Sequence, residues 1–168
     1  MSIDYDVITI GGGLGGAALA RMLAEDGKRV LVVEREIEFK DRIRGEAMGP
    51  WGVLEFQKLP FYECLCEKCA HNYPYVNTIG MGPVRDLRTT TPQRLSALTF
   101  YHPAMQEVVL DAARAAGAEI WRGWVAREVR PGAPSTVSVE RDGVVRSLTA
   151  RLVVAADGRS SSARVWGK

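Results

Sequence analysis

Apolar and polar positions along this chain change period several times, and each change marks an element. Residues 5–10 (YDVITI) are short, apolar and β-branched, so they read as a buried strand. A glycine cluster follows. Residues 14–25 then carry helix formers, with Gly27 just past the expected end. Residues 28–33 (KRVLVV) form a second buried strand, closed by Glu34. A strand, a helix and another strand in this order predict a parallel βαβ unit.

Residues 36–49 are irregular and polar. Residues 50–58 suggest a short helix with Pro50 at its start. Residues 59–83 show no clear period. Residues 84–91 and 95–101 are strand candidates around the turn Thr91-Pro92-Gln93. Residues 103–116 predict a helix with Met105, Val108, Val109 and Ala112 as its apolar stripe and Gly117 as its stop. Residues 119–121 return as a short strand. Residues 124–129, 136–140 and 144–149 predict an antiparallel meander. Val137 and Val139 share one face of it, and Asp142-Gly143 makes a two-residue hairpin turn. Residues 151–156 are again a buried strand, running into Asp157-Gly158, and Ser160, Ser161 and Ser162 are positioned to cap a helix.

The glycine cluster carries the first chemistry. Gly11, Gly13 and Gly16 make G-x-G-x-x-G between the first strand and the first helix. In such a unit the glycines allow a tight turn, close approach of a pyrophosphate and close helix–strand packing. The helix start, at Leu14, offers unpaired N–H groups to phosphate. Glu34 lies about 20 residues beyond, where a carboxylate accepts from a ribose hydroxyl. An ordinary βαβ unit with a glycine turn and a surface glutamate has the same parts. The complete order of strand, glycines, helix, strand and acid favours dinucleotide binding.

Composition narrows the alternatives. The chain has 168 residues, 46% hydrophobic and 25% charged, as expected of a globular domain with a real core. A net charge of +2 gives no argument for nucleic acid or an anionic membrane. No apolar run approaches a membrane span, and the start of the chain, with Asp4 and Asp6, lacks the features of a secretory signal. The expected location is cytoplasmic. Cys64, Cys66 and Cys69, with His71, lie in one short segment. A metal site is one reading, although zinc sites usually join two ligand pairs across a longer loop. Free thiols in a reducing compartment, with one pair redox-active, are the other.

GGGLGG with Glu34, then RIRGEAMGP, then VVAADGRSSSAR stand in the order seen in the para-hydroxybenzoate hydroxylase family, and the chain resembles the N-terminal half of such a flavoprotein. Flavin-dependent halogenases and geranylgeranyl-type reductases share much of this pattern. The resemblance implies a Rossmann-like α/β fold for FAD and NAD(P), with a parallel sheet and an antiparallel β-meander, in one FAD-binding domain over residues 1–168. The family's C-terminal half is absent from this sequence. The resemblance also implies roles. Arg44, or as second choice Arg42, reaches the FAD diphosphate, as a guanidinium suits phosphate; a solvated basic loop is the plain alternative. Glu46 lies on the flavin side. Asp157, Gly158, Ser161 and Arg164 match D-G-x-x-S-x-x-R, with Asp157 anchoring its loop or accepting from ribityl hydroxyls and Gly158 allowing close backbone approach; a plain Asp-Gly turn capped by serines is the alternative. Arg35 and Val125 complete the cofactor-binding candidates. His102 stands where the family has arginine or glutamine, either as a cofactor contact or as a helix-entry histidine.

Three functions follow from the resemblance. The first is an NAD(P)H-dependent FAD monooxygenase acting on an aromatic or polyketide-like small molecule. The second is an FAD-dependent reductase or halogenase. The third is a non-catalytic fragment that binds nucleotide poorly or binds a partner. No catalytic side chain and no metal ligand is assigned. A second chain completing the fold is an expected partner, and the chain alone is expected to turn over slowly.

Overall fold

A computed structural model of the chain describes residues 3–42, 45–77 and 82–167. In chain order the elements are β1 (Tyr5–Ile10), α1 (Leu14–Glu25), β2 (Val30–Glu34), β3 (Ala47–Met48), α2 (Pro50–Phe56), α3 (Tyr62–Lys68), β4 (Ala70–Tyr73), β5 (Tyr75–Val76), β6 (Arg85–Asp86), α4 (Leu87–Thr90), β7 (Ala97–Phe100), α5 (His102–Ala115), β8 (Glu119–Arg122), β9 (Val125–Arg130), β10 (Ser135–Arg141), β11 (Val144–Ala155) and α6 (Ala163–Trp166). They fall into two compact units, residues 1–40 with 109–168, and residues 41–108, with the boundary inside α5.

The first unit is built on a six-stranded sheet ordered β8-β2-β1-β11-β10-β9. Strands β8, β2, β1 and β11 are parallel, and β11, β10 and β9 are antiparallel. β11 is the joint between the two halves. The strands expected over residues 144–149 and 151–156 are one twelve-residue strand. Ala150 pairs with Ser135 on one side and with Tyr5 on the other, and is fully buried. Nothing in Thr149-Ala150-Arg151 favours a turn, so the chain continues straight through.

The meander lies against the parallel strands as expected. Val129, Val137, Val139 and Ala150 form one core with Ile8, Ile10, Leu31 and Val33. Val137 and Val139 are both at 0% exposure, so each contributes about 1.5–3 kcal/mol of apolar burial. The turn Asp142-Gly143 has both residues at positive φ, +52° and +77°, the geometry that matches strand twist in a hairpin. On α1, Gly16, Ala17, Ala20 and Ala24 are the buried positions. Small side chains there let the helix approach β1 and β2 closely.

In α5 the fully buried positions are Met105, Val109, Leu110 and Ala113, whereas Ala112 of the expected stripe is half-exposed. Of the serines expected to cap α6, Ser161 does so, and Asp157 joins it. Ser162 makes no side-chain cap; Asp157 Oδ2 accepts from the N–H groups of Ser162 and Ala163 at 2.9 and 3.2 Å, and Ser161 Oγ accepts from Arg164 N–H.

The second unit holds a three-stranded antiparallel sheet, β3-β7-β4, and the small pair β5-β6. Pro50 opens α2 as expected. The segment over 84–91 is not a strand beyond β6. The Asp86 carboxylate accepts from Arg88 N–H, and the hydroxyls of Thr89 and Thr90 donate to the Asp86 carbonyl. That is a helix N-cap, and it turns the chain into α4.

Candidate functional site

The four parallel strands of the first unit end at Ile10, Glu34, Arg122 and Ala155, on the same edge of the sheet. Ligands of open α/β sheets bind outside that edge. The glycine turn leaves β1 there. Gly11 has φ +103°, and a Cβ on it would stand 2.4 Å from the Ala156 carbonyl oxygen and 3.0 Å from Asp157 Cα. Only glycine fits this crossing of β1 and β11. A Cβ on Gly16 would stand 2.1 Å from the Gly11 carbonyl oxygen and 2.9 Å from Thr9 Cγ2. α1 begins after Gly13, its N-cap, with no side-chain cap and no acidic residue in the first turn. The first-turn N–H groups, from Leu14 onward, therefore offer their partial positive charge to an anion.

Glu34 is buried at the end of β2, at 6% exposure. Its Oε2 accepts from Gly12 N–H at 2.6 Å and its Oε1 from Glu36 N–H at 2.8 Å. Each carboxylate oxygen keeps acceptor capacity beyond these bonds. Arg35 is exposed and pairs with Glu36. The turn after β8 closes on the same strand end, with Trp124 N–H donating to the Glu34 carbonyl at 3.2 Å. Val125 follows as the half-buried first residue of β9.

Asp157 completes this edge. Its Oδ2 holds the start of α6, while Oδ1 is buried and has no hydrogen-bond partner among the described residues. Burial alone would raise its pKa. The Ser161 hydroxyl and the backbone N–H groups around it outweigh burial, and the carboxyl is held below its ordinary value. Gly158 has φ +89° and open space around its Cα.

Arg42, Glu46 and His102 belong to the second unit. Glu46 Oε1 accepts from His102 N–H at 2.9 Å, and so caps α5. His102 Nδ1 lies 2.9 Å from Gln106 Oε1. Arg42 is exposed. Arg44 lies outside the described residues. Cys64, Cys66 and Cys69 are free thiols, all half-buried, and burial pushes the Cys69 thiol up. Among the described residues no three metal-ligating side chains converge. Sequence reasoning did not find Arg122, whose guanidinium lies over Phe39 and reaches the Glu36 carbonyl. An arginine at a strand end has no local signal, because its partners are 83 and 86 residues away in the chain.

The FAD binding domain family matches residues 4–165. The chain belongs to this family. Squalene epoxidase 5 of Arabidopsis thaliana is 52% identical over 60 residues, which are 36% of this chain and 12% of that protein. The anhydrotetracycline hydroxylase OxyS of Streptomyces rimosus superposes over 96% of this chain and 33% of its own, with TM-score 0.79 and 26% identity. The p-nitrophenol 4-monooxygenase PnpA of Pseudomonas putida DLL-E4 superposes over 99% of this chain and 44% of its own, with TM-score 0.83 and 23% identity. The chain thus spans less than half the length of these relatives. Two features of this FAD-binding domain fit a bound dinucleotide: an α1 N-terminus with no side-chain cap and no acidic residue in its first turn, and a buried Asp157 oxygen that has no partner among the described residues. Among the described residues no helix is long and apolar enough to cross a membrane.

Proposed function

We propose that this domain is the cofactor-binding part of an NAD(P)H-dependent flavoprotein monooxygenase. Its substrate would be an aromatic or polyketide-like small molecule, and its place the cytoplasm. The observation that carries the reading is the meeting, at one sheet edge, of the Gly11–Gly16 turn, the buried Glu34 carboxylate and the Asp157 carboxylate. The N–H groups of the first turn of α1 would bind the pyrophosphate. Glu34 would accept from the adenosine ribose, and the backbone at Val125 would border the adenine. Asp157 and Gly158 would face the ribityl chain, with the free Asp157 oxygen accepting from a hydroxyl. Arg42, Arg44, Glu46 and His102 would serve the diphosphate and flavin side. Bound FAD supplies two-electron redox chemistry with a nicotinamide donor and with O2.

The likeness to an anhydrotetracycline hydroxylase at 26% identity supports hydroxylation over the reductase and halogenase readings. Titrating the purified domain calorimetrically with FAD and with NAD+ tests the site. FAD binds more tightly in this reading, and tighter NAD+ binding refutes it. Coupled product formation against peroxide release, measured during NAD(P)H oxidation, tests the monooxygenase assignment.

A further inference from the structure

The loop after β2 is held from outside by the last residue of β8 and the turn that follows it. The Arg122 guanidinium lies 4.6 Å from the Phe39 ring centroid, and its Nε–H donates to the Glu36 carbonyl at 3.2 Å. The other side of the Glu36 residue faces the site, where its N–H donates to Glu34 Oε1. Arg122 is itself fixed, because its carbonyl accepts from Arg141 Nη1 at 3.3 Å. Gly123, next in the chain, has φ +76°, and a Cβ there would press on Ile37 Cγ1 at 3.2 Å. The turn therefore lies directly on the loop. Trp124 N–H then returns to the Glu34 carbonyl.

We infer that Arg122 is a positioning residue for the adenosine end of the site. It acts through Glu36 on the Glu34 carboxylate. The relay runs from the Arg122 guanidinium to the Glu36 carbonyl, and from the Glu36 N–H to Glu34 Oε1. Glu34 Oε2 is held in turn by Gly12 N–H. With both oxygens tied, the carboxylate stands in one orientation before a ribose arrives. A ligand meeting a pre-oriented acceptor loses less ordering entropy on binding. Stacking and a directed N–H are both needed, and guanidinium supplies the two together where an ammonium supplies neither in the same geometry.

The inference rests on the proposed FAD site, and its test separates the two. Affinities for FAD and for ADP are measured in the wild-type domain and in Arg122→Ala, Arg122→Lys, Glu34→Gln and the Arg122→Ala/Glu34→Gln pair. Arg122→Ala weakens FAD and ADP by the same factor, about tenfold, because the loss is at the end they share. Arg122→Lys does not restore binding, and Arg122→Ala adds nothing once Glu34 is changed. A loss for FAD without one for ADP, rescue by lysine, or additive losses in the double variant each overturn the inference. Amide hydrogen exchange without ligand gives the independent arm. Arg122→Ala speeds exchange at Glu36 while that of the β10–β11 pair stays unchanged. Unchanged exchange at Glu36, or faster exchange throughout, overturns the positioning role even in a domain that fails to bind FAD; failure of the wild type to bind FAD defeats the site reading alone.

Discussion

The Glu34 carboxylate accepts from the Gly12 backbone N–H at 2.6 Å, joining the end of β2 to the glycine turn after β1. The bond is buried and charge-assisted, a class that contributes about 1.5–3 kcal/mol. Glu34→Gln retains one carbonyl oxygen but turns an NH2 toward one of the two N–H donors. We expect the variant to lose about 2 kcal/mol of stability without any ligand, by that same scale. Urea unfolding with an unchanged slope measures it. A stability equal to wild type would show that Glu34 matters only to a ligand.

Four of the five glycines over residues 11–16 separate what a side chain would meet there, and their variants should differ accordingly. Gly11→Ala forces a left-handed residue and a backbone collision, and Gly16→Ala drives a Cβ into the Gly11 carbonyl. Both should cost more than about 2 kcal/mol and broaden or abolish the unfolding transition. A Cβ on Gly15 meets nothing within 4 Å. Gly15→Ala should therefore stabilise the ligand-free domain by about 0.5–1 kcal/mol through helix propensity. Gly13→Val should leave the domain folded and abolish FAD binding, as its branched side chain would occupy the pyrophosphate approach. Thermal melts and calorimetry on the four variants give the ranking; a destabilised Gly15→Ala or an FAD-binding Gly13→Val contradicts it.

Thr9 is fully buried in β1, and its hydroxyl has no partner among the described residues. An unsatisfied buried polar group costs about 1–3 kcal/mol. Valine has the same branched shape and raises strand propensity. Thr9→Val should raise stability by about 1 kcal/mol, read as a higher denaturant midpoint at constant slope. A lower midpoint would mean that the hydroxyl holds an internal water.

The sequence was legible where local rules and burial agree. β1, α1, β2, the Asp142-Gly143 hairpin and the strand leading to Asp157 all show period, caps or turn residues within their own length. The doubly paired β11 was not legible as one strand, because continuity across Ala150 depends on two partners far apart in sequence. α4 was missed because a single side-chain cap, Asp86, overrides β-branched residues at 89–91. α3 and β4 lie in a stretch without period, and burial of Phe61, Leu65 and Ala70 organises it only in three dimensions. Of the expected site residues, the sequence pattern anticipated the neighbourhood of Gly11, Glu34 and Asp157, since strand order and strand ends determine it. It did not reveal that Glu46 caps α5, that Asp157 shares the capping of α6 with Ser161, or that Arg122 braces the Glu34 loop. Each of these is a side-chain contact across the fold.

Asp157 gives the domain a dependence on pH. Burial disfavours its charge, but the Ser161 hydroxyl and the N–H groups of Ala163 and Ser162 favour it more, and the folded pKa lies below the ordinary aspartate value. A carboxyl with a depressed folded pKa binds its proton more readily in the unfolded chain. Its contribution is therefore present above the unfolded value near 4 and is lost as the pH falls through the lower folded value. Protonation also removes the negative end that holds the α6 N-terminus, so α6 should loosen before the sheet unfolds. Asp157→Asn abolishes this titration while keeping an acceptor for one N–H. We expect wild-type stability to fall more steeply than that of Asp157→Asn as the pH drops below about 4, with the two curves converging at the acid end. Asp4 and Asp6 are depressed as well, by backbone bonds to Thr149 and Arg29 respectively, so some acid slope remains in the variant. Urea midpoints from pH 7 to pH 2, with amide exchange at Ala163 reporting on α6, make the comparison. Parallel curves for the two proteins would show that Asp157 is held no better in the fold than in the unfolded chain.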